Sequence, residues 1–474
     1  MTLIRQIAFT FFTNAIILLS APIRVILLTR SLSIEDYGKL SLLIVTVNLF
    51  SYLTTFGLDQ FFIGQLPLMR NEDRQTYIKS IFIFSLAISL FLIAMFFMYS
   101  LQWQDIYAKH FLLLSVLMIV SLYSFLTIQY VYSQGQLYIY NILIFLKNVP
   151  WILLLAIFYF LNRLTIENIL YLWLSCLFGV AVIGSIGLMT KEIIKASFSL
   201  RKIMKALKYS LPLFPFLVGP LMMVALDRYI LAYYFSTIEV ALYTVAYMVI
   251  DTVFSVLGAV STTVFPHFVK SWKRDNEHNI PSSSQTLQNI SLMISLILFF
   301  PFAVILLFMG KKIILFIAGS GYVASVTVMQ ILSVLPLFKI FLVIMQQELM
   351  VRAKTVVICK SYIFAIILNL ILNLTLIPHL GIYGAATANI SAHLCIFIII
   401  YSALSKLRSL KDIYSGAKSK EIFLYATVGM GLIFIFNTFL DTMFAIAIGI
   451  ATYTLLLIKN KNIKELYQAK LRIN

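Results

Sequence analysis

The chain has 474 residues, 61% hydrophobic and 11% charged, with a mean hydropathy of +0.98. A soluble chain carries about 45–50% apolar and about 25% charged residues, so composition excludes a water-soluble enzyme and implies an all-α polytopic membrane protein. The net charge of +18, from 36 Lys and Arg against 18 Asp and Glu, reads as loop topology in such a chain, and no nucleic acid partner is expected.

Fourteen apolar segments of roughly 18–26 residues can each cross about 30 Å of hydrocarbon. They lie near 7–29, 39–60, 79–101, 110–133, 138–161, 167–190, 209–234, 240–265, 287–309, 323–346, 356–378, 382–404, 421–440 and 442–459. The opening MTLIRQIAFTFF lacks a small-residue cleavage site and reads as the first span. With the N-terminus on the cytoplasmic side, cytoplasmic segments hold 26 Lys and Arg, outer segments six and span interiors four. This strong positive-inside bias places both termini in the cytoplasm. Cys176, Cys359 and Cys395 fall in apolar runs without metal-ligand spacing and read as small core residues.

Polar groups inside the spans carry the functional information. Faces recur at i, i+3/i+4 and i+7 on a helix. Span 1 aligns Thr13, Ser20 and Arg24; span 2 aligns Ser41, Asn48, Thr55 and Asp59. Lys147 lies in span 5 near Tyr140 and Trp151. Span 7 holds Pro212, Pro215 and Pro220, then the adjacent pair Asp227 and Arg228. Span 8 aligns Tyr243, Tyr247, Asp251 and Thr262. Lys339 is in span 10, Asn369 and Asn373 in span 11, Asn389 and His393 in span 12. Ser, Thr and Asn in spans commonly join helices by hydrogen bonds, and His393 reads as a packing residue. Asp59 either faces headgroups or a polar interior, and Lys147 and Lys339 either snorkel or face a cavity. Of the six deepest charges, Arg24, Lys147, Arg228 and Lys339 are basic and Asp227 and Asp251 acidic. A basic excess suits an anionic substrate such as a diphosphate, and Tyr243 and Tyr247 suit sugar rings. Adjacent residues point about 100° apart, so either Asp227 or Arg228 faces a wet path while its neighbour holds helices together.

Two basic loops, 191–208 and 405–420, divide the spans into six, six and two. SIEDYGKLSLLIVTV (33–47) and TIEVALYTVAYMVID (237–251) occupy matching places after spans 1 and 7, as expected for two transporter halves. The expected divisions are 1–195 for an N-lobe, 196–405 for a C-lobe, and 406–474 for two extra spans and a basic tail. No phosphate-cradling loop, metal spacing or nucleophile elbow occurs. No catalytic residue, cofactor or metal is therefore expected, and the short outer loops argue against a membrane glycosyltransferase or polymerase.

Three segments together resemble one family. They are LLTRSLSIEDYGKLSLLIVTVNLFSYLTTFGLDQ (27–60), SLPLFPFLVGPLMMVALDRYILAYYFSTIEVALYTVAYMV (210–249) and LNLILNLTLIPHLGIYGAATANIS (368–391). They are similar to the Wzx-type O-antigen and capsule repeat-unit flippases of the multidrug/oligosaccharidyl-lipid/polysaccharide exporter superfamily. The resemblance implies two six-helix lobes around a central cavity, with two extra helices. It implies a bacterial inner-membrane flippase for undecaprenyl-diphosphate-linked oligosaccharide, working by alternating access coupled to H+, Na+ or the membrane potential, beside the polysaccharide polymerase machinery. Arg24, Asp227 and Arg228 fall where that family's cavity charges lie; Lys147, Asp251 and Lys339 are added on burial grounds. A multidrug antiporter or a lipid II flippase of the same superfamily are the alternatives.

Overall fold

A computed structural model describes residues 3–100, 107–188, 191–278 and 283–406, together with 428, 451–453 and 456. Among them the chain is all-helical, without a strand. The helices are α1 (Leu3–Ser31), α2 (Ile34–Leu53), α3 (Leu58–Gly64), α4 (Asn71–Ser100), α5 (Phe111–Ser133), α6 (Leu137–Phe160), α7 (Ile166–Leu188), α8 (Lys191–Lys195) and α9 (Leu200–Ser210). They continue with α10 (Phe214–Tyr234), α11 (Thr237–His278), α12 (Ser283–Ile317), α13 (Ser325–Leu332), α14 (Leu335–Val351), α15 (Thr355–Leu380) and α16 (Ile382–Ser405).

Ten helical stretches among the described residues are long and apolar enough to cross a membrane, eleven if the bent pair α2–α3 forms one span. The ten correspond to predicted segments 3–12 and the bent pair to segment 2, and segment 1 lies within α1. Segments 13 and 14 fall almost wholly outside the described residues. The protein is therefore a multi-pass membrane protein.

Local chemistry sets the element ends. Ser33 caps α2: its hydroxyl accepts the Asp36 amide at 3.0 Å, and Glu35 and Asp36 face the positive end of the helix dipole. The single segment expected at 39–60 is instead broken. Phe56 and Gly57 take positive φ values of 47° and 77°, and α3 leaves α2 at 58°. A glycine makes the second of these left-handed turns without steric penalty.

By their internal contacts the residues group into two units. The first comprises Met1–Val245, Ile317–Gly321 and Ile366–Asn389; the second comprises Ala246–Phe316, Tyr322–Ala365 and Ile390–Asn474. Helices α11, α12, α15 and α16 contribute residues to both.

In the first unit α1 packs on α6, α6 on α7, and α5 on α2, α3, α4 and α7. Small hydroxyls link these helices: Ser51 Oγ to Ser121 Oγ at 2.9 Å, and Ser124 Oγ to the Leu177 carbonyl at 2.9 Å. Such side chains allow close approach and satisfy themselves inside the bundle. Helix α2 also meets α10 and the start of α11. Ser41 Oγ and Thr244 Oγ1 lie 2.7 Å apart, Thr46 Oγ1 and Tyr229 Oη 2.6 Å, and the Gly38 backbone lies directly against the Thr237 carbonyl. Helix α4 turns Ile83, Leu86, Leu90, Phe91 and Met95 outward. That surface would be unfavourable in water and suits lipid.

In the second unit Gln346 Nε2 donates to Tyr362 Oη at 3.2 Å, joining α14 to α15. The buried Glu348 carboxylate accepts from Arg352 Nε and Nη2 at 3.1 and 2.8 Å, and that guanidinium covers the Trp272 ring at 4.5 Å. The Asp275 carboxylate accepts the Ser284 amide at 2.8 Å, tying α11 to α12.

Candidate functional site

The Asp227–Arg228 pair divides its work between two directions. Asp227 is fully buried, 0% exposed, and is surrounded by donors from three other helices. Tyr243 Oη of α11 and Asn389 Nδ2 of α16 donate to its Oδ2 at 2.6 and 2.7 Å. Asn369 and Asn373 of α15 donate to its Oδ1 at 3.1 and 2.7 Å, and Asn373 also donates to the Asn369 carbonyl oxygen at 3.0 Å. All five residues belong to the first unit. A carboxylate can accept about four hydrogen bonds, and here four neutral donors fill it. No Lys or Arg among the described residues makes a salt bridge to it. An ionised carboxylate in a low-dielectric interior is costly without such hydrogen bonds, so these donors and the acid require one another.

Arg228 turns away from that cluster. It is 8% exposed, and its Nε has no hydrogen-bond partner among the described residues. Tyr37 of α2, also buried, lies within electrostatic reach of both Arg228 and Arg24. Arg24, on α1 just past Pro22, places its guanidinium 5.2 Å from the centre of the Trp151 ring on α6, a cation–π distance. Lys147 is half-buried and one helical turn before Trp151, so both occupy one face of α6. The first unit thus gathers Arg24, Arg228, Tyr37 and Trp151 near one another, with Lys147 on the helix that carries Trp151.

The remaining predicted residues lie in the second unit. Tyr247 is buried and Asp251, one turn further along α11, is exposed. Lys339 of α14 places its ammonium 3.5 Å from the centre of the Phe254 ring and within electrostatic reach of Asp251. Among the spans' other polar residues, Thr13, Asp59 and His393 are buried, and the side chain of Thr262 lies outside the described residues.

Two features exceed the sequence reading. The asparagines were expected to join helices, but the acceptor they share is a carboxylate more than 140 residues away in α15's case, 142 for Asn369 and 146 for Asn373. Tyr37 lay outside segment 39–60 and was not singled out; the Ser33-to-Asp36 capping pattern carries the signal that α2 begins early enough to include it.

Several known proteins share this architecture. Over 96% of this chain and 98% of the other, the fold is similar to that of "Lipid II flippase MurJ, inward closed conformation", with a TM-score of 0.74 at 17% identity. It is also similar to the inward-facing conformation of a multidrug resistance MATE family transporter of the MOP superfamily, with a TM-score of 0.63 at 13% identity over 84% of this chain and 99% of the other. A MOP superfamily transporter from Pyrococcus furiosus matches with a TM-score of 0.58 at 12% identity, covering 85% and 94%. At these identities the likeness concerns the fold. No curated protein is significantly similar in sequence. Residues 27–327 match the family described as polysaccharide biosynthesis protein. The kinship read from the three motif segments therefore holds, and the chain belongs to the polysaccharide biosynthesis protein family.

Proposed function

We propose that the protein is a flippase that carries undecaprenyl-diphosphate-linked oligosaccharide, an O-antigen or capsule repeat unit, across the bacterial inner membrane. The observation that supports this most is a pair of arginines, Arg24 and Arg228, both within electrostatic reach of one buried tyrosine, Tyr37, inside a membrane protein. Like charges in a low dielectric repel, and a diphosphate is an anion that accepts paired guanidinium hydrogen bonds. Lys147 extends the basic surface along α6. In the second unit, Lys339, Asp251 and Tyr247 offer hydrogen bonding and ring stacking to sugars, and the polyprenyl tail remains in lipid. Asp227 and Tyr243 act behind Arg228, fixing the helix that carries it.

Two lobes, 1–195 and 196–405, alternate access to this path, with 406–474 supplying two further spans and a basic tail, and both termini are cytoplasmic. The motion is coupled to H+, Na+ or the membrane potential, which supplies about 2.3 kcal/mol per charge per 100 mV. The chain works as a transporter, not an enzyme, and delivers its cargo to the polysaccharide polymerase machinery. A lipid II flippase is the second reading, favoured by the extent of the fold's likeness to the MurJ structure. Deleting the gene and identifying the accumulated undecaprenyl-linked lipids tests both. Build-up of an oligosaccharide other than lipid II supports the first; build-up of lipid II supports the second; an unchanged lipid pool contradicts both.

A further inference from the structure

The segment 191–208 reads in sequence as a basic loop, yet it folds as the short helix α8 and most of the helix α9. At about 100° per residue, α9 presents three distinct faces. Ile203, Ala206 and Ser210 are buried, the first two within the core built by α3, α4 and α5. The helix is strapped to α4: the Ser199 amide donates to Ser80 Oγ at 3.0 Å, and Lys202 Nζ donates to Asp73 Oδ1 at 2.8 Å while lying 5.4 Å from the Tyr77 ring centre. Lys79 Nζ donates to the Ile194 carbonyl at 2.7 Å and holds α8 against the same helix.

The second face is apolar and exposed. Leu200, Met204 and, one residue past the helix end, Leu211 are 60%, 61% and 51% exposed and fall within a narrow stripe. The third face, next to it, carries Arg201, Lys205 and Lys208, all exposed. Lys202 is committed to Asp73, and none of these other three makes a salt bridge among the described residues. A stripe of large apolar side chains beside a stripe of cations fits neither bulk water nor hydrocarbon; it fits the boundary between them. Helix α4, to which α9 is strapped, also turns Ile83, Leu86 and Leu90 outward. The loop also belongs to the side holding most of the Lys and Arg, which faces the anionic cytoplasmic leaflet.

We propose that α9 lies in the membrane interface, where Arg201, Lys205 and Lys208 bind the headgroup phosphates of anionic glycerophospholipid and Leu200, Met204 and Leu211 sit at the acyl boundary. The assignment to the cytoplasmic leaflet rests on the topology adopted above; the lipid contact itself does not depend on the cargo. Through Ser210 and the turn Leu211–Leu213, α9 runs directly into α10. Lipid binding therefore sets the depth of the helix that carries Asp227 and Arg228.

The test uses the full chain in nanodiscs of phosphatidylcholine, probed with spin-labelled phosphatidylglycerol and spin-labelled phosphatidylcholine. The wild type should prefer the anionic lipid, and the R201Q/K205Q/K208Q variant should lose that preference by about fivefold or more, since one cation near an anionic surface contributes about that factor. An unchanged preference overturns the proposal. A second measurement does not need that variant to fold: a nitroxide at Met204→Cys, in a chain with Cys176, Cys359 and Cys395 replaced by Ala, should be reached by oxygen and shielded from a water-soluble nickel chelate. Ready access of the chelate, or shielding from both as under a second copy or a protein partner, overturns it. Glycolipid translocation is scored separately, so its failure and that of the lipid contact are distinguishable.

Discussion

Two neighbouring charges, Asp227 and Arg228, meet opposite fates. The carboxylate is enclosed by Tyr243, Asn369, Asn373 and Asn389, while the guanidinium lies within electrostatic reach of Tyr37. Their separation by about 100° around α10 was legible in the sequence; which residue took which direction was not, because the choice depends on asparagines far along the chain. Asp227→Ala leaves four buried donors without their acceptor, at about 1–3 kcal/mol for each unsatisfied group. The variant should accumulate poorly or melt well below the wild type in detergent, and a melting curve like the wild type's would contradict the packing role. Asp227→Asn keeps the shape and one acceptor oxygen. Its amide nitrogen replaces an acceptor of two donors, so it should melt between Asp227→Ala and the wild type, and a melting curve below that of Asp227→Ala would contradict this. Arg24→Ala should abolish export of surface polysaccharide at normal protein level, and normal export would remove Arg24 from the path.

At the scale of elements, hydropathy located segments 2–12 because each must bury its backbone hydrogen bonds internally while facing lipid. The break at Phe56–Gly57 escaped it, since the residues on both sides of the kink are equally apolar. Helix α9 escaped it too, because four basic residues lower its mean hydropathy while its 3.6-residue periodicity persists. The α2 contact with α11 is a glycine contact. Gly38→Ala would place a methyl group against the Thr237 carbonyl, so one helix must shift. Such overpacking costs about 1–3 kcal/mol, read as a lower melting temperature, whereas Ser33→Ala should cost about 1 kcal/mol through the lost cap. If Gly38→Ala were neutral, the α2–α11 approach would be looser than described.

For the whole molecule, the distribution of Lys and Arg assigns sides to the loops. In a cysteine-free chain, a cysteine at Ser197 should react with an impermeant reagent only from the cytoplasmic face, and one at Asn162 only from the outer face. The opposite pattern would invert the topology and remove the electrostatic reason for α9's leaflet. The most direct test of the central claim is the sidedness of the cargo. In spheroplasts of the deletion strain, the fraction of undecaprenyl-linked oligosaccharide reached by an impermeant glycan-modifying enzyme should be near zero. It should return with the wild-type gene and stay near zero with Arg24→Ala. Outward exposure of the oligosaccharide without this protein would contradict the flippase account.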